Sequence, residues 1–215
     1  MNRRLRIFDL DHTLISENSS YRFSQFLFRR NVLSVFSFLK ASWYYFRHLF
    51  FNLSLNNLHR KVFNHSLKGL SLDILKIHIE PFLQEFLAHH LYMPAVSELR
   101  LAQQLGEHTA IFSSSPDFLV KLIAKYFQVD YWEATSYIVD KESIFTTISH
   151  ILDGPQKAES LIKLVNNLKI DKSQVIAYSD SYTDLPFLLE AGSSVVVSPD
   201  KKLKAYAQAH KWKII

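Results

Sequence analysis

The chain has no cysteine, which excludes disulfides and thiolate metal sites and allows a reducing compartment. Glycine is scarce: Gly69, Gly106, Gly154 and Gly192 stand far apart, so there is no glycine-rich phosphate loop. There is no Gly-x-Ser-x-Gly elbow to suggest a serine hydrolase. No apolar run reaches the roughly 18 to 20 residues of a spanning helix. The nearest, Val32 to Phe46, is interrupted by Lys40 and followed by Arg47. A charge at mid-membrane costs about 2.5 to 3.5 kcal/mol, so this segment reads as an interfacial or covering helix. The opening residues lead into a strand rather than an apolar signal segment, from which a cytoplasmic location is expected.

One further absence is local. From Asn18 to Leu72 there is no Asp or Glu, against eight basic residues (Arg22, Arg29, Arg30, Lys40, Arg47, Arg60, Lys61, Lys68) and thirteen aromatics. The whole chain carries a formal charge of +5, so this stretch differs most from the rest. It suggests an anionic partner with an apolar portion, which describes the inner face of an anionic membrane better than nucleic acid. The competing account packs the rings between helices. Trp43, Tyr44, Tyr45 and Phe46 are consecutive, however, and cover a whole helix circumference, so some must face outward.

What is present starts with Leu5-Arg6-Ile7-Phe8-Asp9-Leu10-Asp11-His12-Thr13-Leu14. Read as a strand, it delivers Asp9 and Asp11 to the same side of its C-terminal end. Two close carboxylates repel unless a cation or shared proton compensates them, and the simplest compensator is a hard divalent ion such as Mg2+. Asp is also common at strand ends for structural reasons, so the pair alone does not decide. The 215 residues suffice for a domain with a sizeable insertion.

Residues 19 to 91 read as four helices: one capped by Asn18-Ser19-Ser20, then Val32 to Phe51, Leu55 to Leu67 and Asp73 to His90, with Pro81 a kink or helix start. After Pro94 helices alternate with short apolar strands, the pattern of a parallel α/β sheet. The strand Thr109 to Phe112 leads into Ser113-Ser114-Ser115-Pro116-Asp117, with Pro116 expected at the first helical position. Hydroxyls and free N–H groups at such a place form an anion site, or only a cap and turn. Tyr137-Ile138-Val139 and Ile144-Phe145-Thr146 look like a hairpin rather than a core strand. Lys157 falls in the first turn of a helix to Leu168, where the dipole disfavours a cation; it is either solvent-exposed or recruited by a strong anion. Asp180 ends the strand Gln174 to Tyr178, and Asp184 follows four residues later. Four carboxylates, hydroxyls and a lysine at one sheet edge supply oxygen ligands for a metal and donors for a phosphoryl group.

These segments, in this order, resemble the haloacid dehalogenase superfamily, and within it the phosphoserine-phosphatase-like subfamily IB. The resemblance implies a Rossmann-like parallel sheet core over residues 1–15 and 92–215 with an α-helical cap inserted over residues 16–91. It implies a Mg2+-dependent phosphomonoester hydrolase with Asp9 as nucleophile and Asp11 as acid and base. Ser113, Ser114 and Lys157 would bind the phosphoryl oxygens, and Asp9, Asp11, Asp180 and Asp184 would serve the metal, Asp11 through its main-chain carbonyl. Phosphoserine phosphatases carry an acidic residue where this chain has Asn18, Asn where it has Thr183, and glycines where it has Ser114 and Ser115. These departures argue against a free amino-acid phosphate. The cap looks more like that of bacterial phosphatidylglycerophosphatase relatives, so a lipid phosphate is expected first. A small soluble ester (phosphoserine, sugar or polyol phosphate) is the alternative, and a non-catalytic membrane-associated scaffold a further one.

Overall fold

In the computed structural model residues 4–215 are described; the first three, grouped above with the core and read as the start of the chain, lie outside them. β1 (Leu5–Phe8) is buried throughout, as a central parallel strand covered on both faces must be. The order continues α1 (Ser19–Arg29), α2 (Val35–Phe50), α3 (Leu55–Val62, prolonged by a π-turn over Phe63–Leu67), α4 (Leu72–His90), α5 (Met93–Gln104), β2 (His108–Pro116) and α6 (Asp117–Phe127). Then come β3 (Tyr131–Val139), β4 (Phe145–His150), α7 (Gly154–Leu168), β5 (Val175–Ser179), α8 (Leu185–Leu189), β6 (Ser193–Val196), α9 (Lys201–Ala209) and β7 (Lys213–Ile214). The strands form one seven-stranded sheet in the order β4-β3-β2-β1-β5-β6-β7. All neighbours are parallel except β3 and β4. This is a Rossmann-like sheet with a helical insertion between β1 and β2, as the segment pattern predicts.

Side-chain alternation in β1 sends Phe8 to one sheet face and Ile7 to the other. Phe8 joins a core that continues into the insertion through Phe23, Phe26, Phe82 and Phe86. Ile7 joins Phe112, Leu161 and Phe187 on the opposite face. The insertion is thus packed onto the sheet by a shared apolar core, which holds it over the strand ends.

Each helix of the insertion starts where a short polar side chain caps it. Asn18 accepts from the Tyr21 N–H, Ser34 from Ser37, Ser54 from Asn57 and Ser71 from Asp73. Pro81 starts no helix; α4 runs through it. Another expectation is corrected: β2 runs four residues beyond Phe112, so the three serines prolong a strand, and Pro116 is the N-cap of α6 rather than its first residue. The hairpin expected around Asp140 forms, between β4 and the second half of β3; the first half of β3, from Tyr131, is in addition a core strand parallel to β2. That hairpin grips the insertion: the Gly69 N–H donates to the Phe145 carbonyl at 3.0 Å, and the Leu72 N–H to the Ser143 carbonyl at 2.8 Å.

Candidate active site

β1 and β5 are adjacent at the centre of the sheet, with Phe8 opposite Tyr178, so the residues following them meet at one edge. The Asp9 N–H donates to the Tyr178 carbonyl at 2.9 Å and fixes Asp9 there. From the first turn of α7, the buried Lys157 reaches both Asp9 Oδ1 (2.6 Å) and Asp184 Oδ2 (2.7 Å). The lysine at this dipole-disfavoured position is therefore recruited by anions. Its close approach depends on Gly154, where a Cβ would run into the Thr183 carbonyl. Ser179 Oγ donates to Asp184 Oδ2 at 2.7 Å, and Thr13 Oγ donates to Asp180 Oδ1 at 3.2 Å.

Asp9 and Asp11 both reach the floor of one cavity, and Asp11 adds repulsion at Asp9, but their hydrogen-bond partners differ. The chain leaves the strand after Phe8 and turns at Leu10, so strand alternation alone does not set where the two side chains point. Asp11 instead faces the insertion: Oδ1 accepts from the Ser19 N–H (2.8 Å) and Oδ2 from Ser115 Oγ (2.6 Å). Ser113 is buried beneath, its Oγ accepting from the Ser115 N–H at 3.1 Å. Ser114 and Ser115 line the cavity above.

Charge at this edge is unbalanced. Burial pushes Asp9 up to about 7 against the pull of Lys157, with Asp184 and Asp11 adding repulsion. Burial also raises Asp180 well above the usual carboxylate range, and Asp9 and Asp184 push the same way. For Lys157, burial alone would disfavour the ammonium, but Asp184 and Asp9 outweigh it and raise its affinity for the proton.

A haloacid dehalogenase-like hydrolase profile matches residues 7–189, most of the chain. The chain belongs to that family. It is 27% identical over 99% of its length to an inhibition of morphological differentiation protein of Streptomyces azureus, covering 78% of that protein. It is 26% identical over 96% of its length to a phosphoserine phosphatase of Mycobacterium tuberculosis, covering 68% of it. A Bordetella pertussis protein of unknown function has the same fold, with a TM-score of 0.87 at 23% identity over 100% of this chain and 99% of that one.

Haloacid dehalogenase-like hydrolases generically use Mg2+. Among the described residues no three His, Asp or Glu side chains form a ready ligand cluster; Asp9 and Asp184 both turn onto Lys157. The donor chemistry nevertheless fits a hard divalent ion, because Asp9, Asp180 and Asp184 offer only oxygen and two of them are short of positive charge.

A cavity of about 680 Å³ opens over these groups. Its floor includes Asp9, Asp11, Lys157 and Asp180, and its walls include Phe23, Leu27, Tyr45, Leu58, His59 and Tyr137. Among the lining residues the insertion contributes no carboxylate, lysine or arginine; its basic side chains there are His48 and His59. Burial, aided by His48, pushes His59 down to about 4, so it is neutral, with Nδ1 2.8 Å from the Tyr137 hydroxyl. Glu17 turns aside to Arg22 at 2.8 Å.

Three residues that matter here were not singled out by sequence. Ser115 and Ser19 hold Asp11 from β2 and α1, and Gly154 admits Lys157. A scarce glycine between Asp153 and Pro155 was the one available signal; nothing local tells Ser115 from its two neighbours.

Proposed function

We propose that the chain is a phosphomonoester hydrolase working through an aspartyl-phosphate on Asp9. The observation that carries this is Lys157 bridging Asp9 and Asp184 while Asp11 is held separately by Ser115 and Ser19. With Oδ1 engaged by Lys157, Asp9 attacks phosphorus through Oδ2, and the ester P–O bond breaks. Asp11, in its protonated form, gives its proton to the departing alkoxide. Water then attacks the acyl phosphate, Asp11 takes the water's proton, and inorganic phosphate and free Asp9 result. Lys157 and Ser114, which line the cavity, stabilise the phosphoryl oxygens, and Ser113 is assigned the same role from the end of β2. Asp9 would hold Mg2+ together with Asp180 and Asp184, directly or through water, and Asp11 through its main-chain carbonyl. The ion would supply charge neutralisation at the phosphoryl oxygens.

The substrate reading is a soluble phosphate monoester with an uncharged alcohol part. A relative named phosphoserine phosphatase favours a soluble ester over a lipid. Phosphoserine itself carries an ammonium and a carboxylate, and the cavity wall from the insertion offers no carboxylate, lysine or arginine to meet them. A lipid phosphate, phosphatidylglycerophosphate before phosphatidate, is the second reading. One observation favours it: the wall is built largely of Phe23, Leu27, Leu55, Leu58 and Val62. The subfamily IB assignment and the phosphatidylglycerophosphatase-like cap, spanning residues 16–91 against a core of 1–15 and 92–215, belong to this proposal too.

The test is hydrolysis of an aryl phosphate by the purified chain with Mg2+ and with EDTA. Unchanged turnover by Asp9→Asn, or full activity in EDTA, overturns the chemistry. Sugar and polyol phosphates, phosphoserine and phosphatidylglycerophosphate in mixed micelles are then compared. A preference for phosphoserine rejects the uncharged alcohol, and a preference for the micellar lipid replaces the first substrate reading by the second.

A further inference from the structure

The helix α2 has two apolar faces. One looks inward, where Ala41, Tyr45 and His48 line the cavity. The other has nothing against it. At 100° per residue, Val35, Phe46, Leu39, Phe50, Trp43 and Phe36 fall in that order within an arc of about 100°. Phe36 is 67% exposed, Trp43 55% and Phe50 67%, and Ala41 is the one buried residue of the sixteen. The rings form a ridge: Phe46 lies 5.9 Å from Trp43 and 4.8 Å from Phe50, centroid to centroid. Contiguous apolar surface of this kind marks an interaction site.

Its surroundings select the partner. Lys40 and Arg47 run along one edge of the arc, Lys40 lying 4.2 Å over the Phe36 ring. Arg29, Arg30, Arg60 and Lys68 are exposed nearby in sequence. None of these six makes an ion pair among the described residues, and the stretch from Asn18 to Leu72 contains no acid to neutralise them. A second copy of the chain would bring the same uncompensated basic rim against this one. An anionic bilayer instead offers an apolar interior and negative headgroups together. Among the described residues no helix is long and apolar enough to cross a membrane, so the contact is tangential.

We propose that the outer face of α2 docks flat on an anionic phospholipid bilayer, with its rings at headgroup depth and Lys40 and Arg47 on lipid phosphates. The contact is independent of the hydrolase chemistry, so either can fail alone.

The test is flotation of the full chain with vesicles of phosphatidylcholine containing about a quarter phosphatidylglycerol. At low salt the chain should float with these and not with pure phosphatidylcholine, and about half-molar salt should weaken binding roughly tenfold or more. Phe36→Glu/Trp43→Glu/Phe50→Glu should abolish flotation while leaving the melting temperature and aryl phosphate hydrolysis as in the parent. As a milder probe, parent tryptophan emission should shift to the blue on anionic vesicles, and Trp43→Phe should lose that shift. Absence of flotation by the parent, equal flotation with neutral vesicles, or a blue shift retained by Trp43→Phe overturns the proposal. So does a dimer in sedimentation that the triple variant dissociates while the parent ignores vesicles, since the face then belongs to a second copy.

Discussion

At the ends of β1 and β5, Asp9, Asp11, Asp184 and Lys157 are buried, whereas on α2 Phe36, Trp43 and Phe50 stand in solvent. Both regions reverse the ordinary partition of apolar groups inside and charge outside, but they differ in compensation. The buried charges are tied to one another and to Ser115, Ser179 and Thr13 by specific hydrogen bonds. The exposed rings have only one another and, at Phe36, the Lys40 ammonium. A reversal satisfied within the chain points to chemistry done there; one left unsatisfied points to a surface waiting for a partner.

The comparison breaks most sharply at Asp9. Asp9→Asn should lower kcat for an aryl phosphate by about three orders of magnitude or more. The melting temperature should hold or rise, because the lost carboxylate is one that burial already opposes. Turnover within tenfold of the parent would remove the chemical meaning of the buried cluster. Lys157→Met should cost about 3 to 5 kcal/mol in urea unfolding at neutral pH, leaving Asp9 and Asp184 facing each other without a counter-charge. Lys157→Met/Asp184→Asn should recover part of that loss, and a double variant no more stable than the single would refute the charge explanation.

The cavity wall supplies a pH test. With His59 held near 4, the unfolded chain takes up a proton below its ordinary value of 6.5 that the folded chain refuses. Stability from this group is therefore complete above 6.5 and is lost as pH falls toward 4, by on the order of 3 kcal/mol. His59→Asn should flatten that acid limb in thermal scans from pH 7 to 4. Ser115→Ala removes the 2.6 Å bond to Asp11, worth about 1 to 2 kcal/mol, and should lower kcat roughly fivefold to thirtyfold along with a fall of a few degrees in melting temperature. Equal kcat would mean that Ser19 and Asn18 suffice to position Asp11. At the other region the expected effect on folding is smallest: Trp43→Glu should change unfolding free energy by no more than about 0.5 kcal/mol. A larger loss would show that the ridge belongs to the core.

The carboxylates, Lys157 and the βα alternation were legible in the chain because each is written locally, as a residue type at the end of an apolar run. Helix starts behind Asn18, Ser54 and Ser71 were legible to within a residue for the same reason, their caps spanning two or three residues, whereas α2 starts behind Ser34 and not at Val32. The length of β2 and the double pairing of β3 were not, since strand extent is decided by the neighbouring strand across the ladder rather than by the strand's own composition.

The excess of aromatics between Asn18 and Leu72 required that some face outward, but not which ones. Tyr45 stacks on Tyr21 with centroids 4.7 Å apart and lines the cavity, while Trp43, two residues earlier, is solvent-exposed. That choice is made by how α2 is rotated against α1 and α3, a rotation set by packing and not by any residue's own preference. The division between Asp9 and Asp11 has the same origin. Their spacing is written in the sequence, but the exit of the chain from the sheet after Phe8, and the arrival of Lys157 and Ser115 from segments distant in sequence, decide what each carboxylate faces.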